Sequence, residues 1–92
     1  MKITVFQADL DAKNKFMDLD FANKNCGGVN IDDYKCVFDG ELPVSNLEDI
    51  YMLLNTSRPE GYYGHSLSVS DIVVTPHGSF YCDSFGFTEI DF

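Results

Sequence analysis

Residues 45–56, SNLEDIYMLLNT, carry the strongest helical pattern in this chain. Leu47, Ile50, Tyr51 and Leu54 recur at i, i+3, i+4 and i+7, which puts them on one apolar stripe. Ser45 and Glu48 fit a capping box, in which the hydroxyl accepts a backbone N–H and the carboxylate reaches back. Glu48 and Asp49 lie in the first turn, where the helix dipole favours negative charge. Asn55 is placed to end the helix, and Pro59 forbids its continuation. A lone amphipathic helix must lay its stripe on something apolar, and the rest of the chain reads mainly as strands. The expected fold class is therefore α+β, a small antiparallel or mixed β-sheet with one helix packed on a face.

The strands are read from period-2 alternation. KITVF puts Ile3 and Val5 on one face and Phe6 on the other. FMDLDF sets Met17, Leu19 and Phe21 against Asp18 and Asp20, as a half-exposed strand would, with a short helix as the alternative. Gly27 and Gly28 mark a loop free to take positive φ. DYKCVFD alternates Tyr34, Cys36 and Phe38 with Lys35, Val37 and Asp39. SDIVV and SFYCDSF flank TPHG, a tight-turn signal that predicts an antiparallel hairpin, and GFTEIDF extends the sheet or folds across it. The helix stripe is expected to meet Ile72, Val74, Phe80 or Cys82.

Ninety-two residues make one domain, 1–92, with a modest core. No apolar run is long enough for a membrane span, and the start reads as a first strand rather than a signal peptide. Three cysteines, Cys26, Cys36 and Cys82, form no CxxC pair and suit reduced thiols in a cytoplasm. The net charge of −9 is uneven. Residues 1–35 sum to −1, whereas residues 36–92 hold only Arg58 against nine acids and sum to −8. Phosphate backbones demand Lys and Arg, so direct nucleic-acid binding is disfavoured and a protein partner with a basic surface is expected.

Several ordered pieces resemble one family. LEDIY at 47–51, Arg58-Pro59, GHSLSVSDIVV at 64–74 and DSFGF at 83–87 together resemble the YodL-like domain family, well over residues 34–92 and loosely before. The resemblance implies a domain carried by conjugative and other mobile genetic elements of gut-type Gram-positive bacteria, alone or inside multidomain proteins. It brings no established catalytic residue and no cofactor. The Gly-Cys loop near the N-terminus and the short C-terminus depart from the family pattern, the latter as a free-standing version of the module would.

The remaining polar residues sort by the chemistry their setting allows. Ser66, Ser68 and Ser70 lack the strained turn and oxyanion hole of an acyl-transfer serine. On extended chain His65 would point away from them, so the hydroxyls and Asp71 are expected to satisfy the backbone of a loop entering a strand. Cys82 shares a strand face with Phe80 and is expected to be a buried thiol, since a thiolate needs a positive setting. His77 belongs in a solvated turn. Neither DLD stretch has the glycine and glutamate of a calcium loop. Arg58 is expected to bridge the helix end to an acid such as Asp71 or Asp83, or to touch a ligand.

Tyr62 and Tyr63 in the loop, with Glu60, Arg58, Glu48 and Asp49 around them, form the expected partner surface. The first functional reading is a small acidic cytosolic, non-catalytic protein-interaction module, with no cofactor, membrane or small-molecule substrate. The alternative is a nucleic-acid-mimicking inhibitor of a host defence nuclease, of the anti-restriction or anti-CRISPR type. A thiol or serine hydrolase is a distant third.

Overall fold

The computed structural model describes residues 1–92. Five strands form one antiparallel sheet: β1 (Lys2–Ala8), β2 (Tyr34–Glu41), β3 (Ile72–Thr75), β4 (Gly78–Asp83) and β5 (Gly86–Ile90), in the order β2-β1-β3-β4-β5. The expected hairpin is present, with Pro76 and His77 at its turn and Thr75 opposite Gly78. Helix α2 (Leu47–Thr56) lies on one face, and α1 (Leu19–Asn25) with its flanking loops covers the other. The fold is α+β, but with two helices and a single 3-10 turn (Ile31–Asp33) where one helix was expected.

FMDLDF is the source of that difference. Phe16 takes φ 63°, which ends any extended run, and the Asp18 Oδ1 then accepts the Phe21 N–H at 2.9 Å as an N-cap. Cys26 and Gly28 both donate to the Ala22 carbonyl at 3.0 Å, and Gly27 at φ 71° turns the chain away. Leu19 therefore packs against the sheet's core and Ala22 is buried three residues on, at helical rather than strand spacing. At α2 the cap sits one residue later than the capping box implied. Asn46 accepts the Asp49 N–H at 2.8 Å, and the Asp49 carboxylate, not Glu48, turns back to the Ser45 hydroxyl at 3.1 Å.

Each sheet face has its own core. Ile3, Val5, Val73 and Cys82 meet Ile50 and Leu54 of α2, with Leu42 and Leu67 closing the sides. Ile72, Tyr81 and Ala8 lie on the opposite face with Leu19, Val74 and Phe92. Ile72 and Val74 thus point away from α2, because Val73 is the β3 residue in phase with Val5 (its partner on β1). Tyr51 also departs from the expected stripe. It is about half exposed and sets its ring edge-on to Phe87, because no strand lies beyond β5 to cover it. On β2, the register shifts so that Phe38 and Cys36 oppose Val5 and Phe6, leaving Val37 as a bulge. That bulge buries Val37 and Phe38 together and leaves Cys36 exposed.

Candidate interaction surface

The segment 64–71 is built as a latch. On β1, Ile3, Val5 and Gln7 alternate on the α2 side, and Gln7 lies where the loop covers the sheet. Its Nε2 lies 2.9 Å from the His65 carbonyl, 3.0 Å from Asp71 Oδ2 and 3.1 Å from the Tyr62 hydroxyl. Its Oε1 accepts the His65 N–H at 3.2 Å. Gly64 crosses directly above, and a Cβ there would collide with the Gln7 side-chain amide, so only glycine passes. Asp71 accepts the Ser68 N–H at 2.8 Å and so holds the loop through its backbone. Burial pushes the Asp71 carboxyl up to about 7, against the lowering effect of the Ser68 and Gln7 hydrogen bonds and the Lys15 charge.

The three serines do not alternate on extended chain. Ser70 is buried at φ 85°, in a turn closed by the Asp71 N–H to the Ser68 carbonyl at 3.1 Å. Its Oγ accepts the Phe16 N–H at 2.9 Å, and its carbonyl accepts the Tyr34 hydroxyl at 2.7 Å. Asn14 ties Tyr34 to Tyr81, whose hydroxyl donates to the Met17 carbonyl at 2.7 Å. Residues 68–71 therefore join two buried polar knots, one on each face of the sheet. Sequence reasoning missed the roles of Gln7 and Asn14; a glutamine in phase with Ile3 and Val5 was the available signal.

Ser68 donates to the Ser66 carbonyl at 2.8 Å, and Ser66 accepts from Arg58 at 2.7 Å. Arg58 meets this hydroxyl rather than Asp71 or Asp83, because its side chain remains exposed at the loop surface. The His65 Nδ1 faces the Ser66 carbonyl at 2.7 Å, so the ring contacts backbone and not a serine hydroxyl. Cys82 is buried beneath α2, and desolvation, with Asp71 and Asp83 adding to it, pushes its thiol up to about 12. A thiol held that high is protonated at neutral pH and a poor nucleophile.

The residues expected at a partner surface divide into two groups. Tyr62 is half-buried, its hydroxyl donating to the His65 carbonyl at 2.7 Å, and burial pushes it up to about 12. Tyr63 is 87% exposed, while its N–H pairs with the Val37 carbonyl at 2.8 Å beside the β2 edge. Glu60 and Arg58 are exposed on the same loop. Glu48 and Asp49 are exposed on the first turn of α2, and Glu48 lines a cavity of about 610 Å³ against β4 and β5. The loop anchors and the helix acids thus do not line a common cavity.

A family model for the YodL-like domain matches residues 1–92. The chain belongs to that family. The match spans the N-terminal third as well as the better-resembling remainder, so α1 and the Gly-Cys loop are part of the YodL-like domain. Neither a curated protein nor a solved structure matches the chain. In this YodL-like domain the GHSLSVSD stretch that marks the resemblance is the latch itself. No helix is long and apolar enough to cross a membrane.

Proposed function

We propose that this domain is a non-catalytic protein-interaction module that binds a partner with a basic surface, in the cytoplasm of a cell carrying the mobile genetic element that encodes it. The observation that carries this reading is where the polar groups are spent. Ser66, Ser68, Ser70, His65 and Asp71 each hydrogen-bond within the fold, while Asp39, Glu41, Glu48, Asp49, Glu60, Glu89 and Asp91 face solvent. Large apolar side chains stand among them, with Met52, Tyr63 and Phe85 all mostly or fully exposed. An acidic, aromatic-bearing surface suits a partner that supplies positive charge and apolar pockets. Tyr63 is the loop's anchor in this reading, with Glu60 and Arg58 beside it and Glu48 and Asp49 as more distant charge.

The test is binding to the partner recovered with the wild-type chain. Raising salt from about 0.05 to about 0.3 M should slow association, since screening shortens the reach of surface charge. A partner without a basic surface, or binding indifferent to salt, overturns the reading. A captured nuclease that loses its nucleic-acid binding in the complex would replace it with the nucleic-acid-mimicking alternative.

A further inference from the structure

Three cavities, of about 610, 400 and 180 Å³, meet at Ser84 in the β4–β5 turn. They run together from the C-terminal half of α2, past Val69, to the start of α1. The α2 end is walled by Tyr51, Met52 and Phe87. The α1 end is walled by Phe16 and Met17, and Phe85 projects fully exposed at the turn between them. An apolar surface of this kind left open to water is a mark of a binding site.

Four carboxylates line the same groove, Glu48, Asp83, Asp18 and Asp20, against one amine, Lys24. Lys24 is itself 3.1 Å from Asp20. Outside the groove, Asp39 lies 3.1 Å from Lys2, and Glu41 lies 3.4 Å from the N-terminal amine. The groove lining thus carries net negative charge, as the surface does at large. Two of its carboxylates are fixed in advance. Asp83 Oδ1 accepts the Leu19 and Ser84 N–H groups, and Asp18 caps α1.

We propose that this groove docks a basic amphipathic segment of the partner protein, one with bulky apolar side chains flanked by Lys or Arg. The inference rests on the interaction-module reading and places its main contact at Ser84 rather than at the tyrosine loop. The apolar residues of the segment fill the space between Met52 and Phe85, and its cations face Glu48, Asp20 and Asp83. This follows the common division in which buried apolar anchors set the lifetime of a complex and charges steer its formation.

A display library of random 12-residue peptides, selected on the full-length chain, tests the proposal. Enriched peptides should combine Lys or Arg with aromatic or large aliphatic residues. They should bind Met52→Lys and Phe85→Ser variants at least about tenfold more weakly, a loss of about 1.4 kcal/mol. Both positions are exposed, so circular dichroism and melting should match the wild type. Glu48→Gln with Asp20→Asn should flatten the salt dependence, while Tyr63→Ala should leave peptide affinity unchanged. Basic peptides that bind the groove variants as well as wild type overturn the groove and leave the module reading standing. Enrichment of acidic or uncharged peptides, or of none, overturns both. A wild-type dimer in sedimentation that Met52→Lys dissociates would make a second copy of this chain the occupant and also overturn the proposal.

Discussion

Asp71 is where one residue's ionisation bears on the whole domain. Its carboxyl is buried, and its folded-state pKa is raised to about 7 from an ordinary 3.8. The folded state therefore holds a proton that the unfolded chain has released between those values. Stability contributed by this group is fully present below about pH 4, falls as pH rises, and is lost above about pH 7. The shift sets an upper bound of about 4 kcal/mol on the change. Asp71→Asn keeps an acceptor for the Ser68 N–H and removes the charge. Denaturant melts of that variant should show a flatter pH profile between 4 and 7 than wild type, and a profile of unchanged slope would place the titration elsewhere. Gly64 makes a second single-residue test. Gly64→Ala must displace the Gln7 amide and break the latch, so melting should fall by about 1–3 kcal/mol of stability.

At the scale of elements, α2 was legible because two independent signals agreed: an apolar stripe of helical period and a proline beyond its end. Its packing was legible only in part. Ile50 and Leu54 are fully buried, but Tyr51 lies where the sheet runs out. Ile50→Ala should therefore cost about 2–5 kcal/mol and Tyr51→Ala under about 1.5, measured by urea unfolding. Equal losses would mean that the helix is rolled toward β5. Helix α1 was ambiguous for a physical reason. In FMDLDF the apolar residues alternate as in a strand, yet Asp18 within it and Gly27-Gly28 behind it are helix punctuation. The punctuation won where Phe16 at φ 63° breaks the extended run and Asp18 caps the turn that follows. The Val37 bulge left no mark in the alternation of DYKCVFD, since a bulge depends on the partner strand. The candidate surface was less legible still. Groove residues such as Met52, Val69, Ser84 and Phe85 are scattered along the chain and converge only through the β4–β5 turn.

For the whole molecule, the sheet order decides which parts of the chain depend on which. Strand β1 is flanked by β2 and by β3, partners about 35 and 70 positions further along the sequence. Closing loops of that length before any reward arrives raises the barrier to folding, whereas β3, β4 and β5 are neighbours joined by two tight hairpins. During synthesis, the first strand leaves the ribosome long before residues 72–75 exist to complete its pairing. Until then β1 presents one bare edge, and the Ile50 and Leu54 stripe has only part of its sheet to rest on. Fragments that stop short of β3 should bind chaperones and resist refolding, and full-length chains should refold with Val73→Ala slowing the folding rate more than Tyr51→Ala. Stopped-flow refolding of the two variants reads this directly: equal rates would mean that β1 and β3 meet only after the barrier. The middle of the sheet is thus the last part to be synthesised that the first strand needs, so the sheet can close around that strand only late in synthesis.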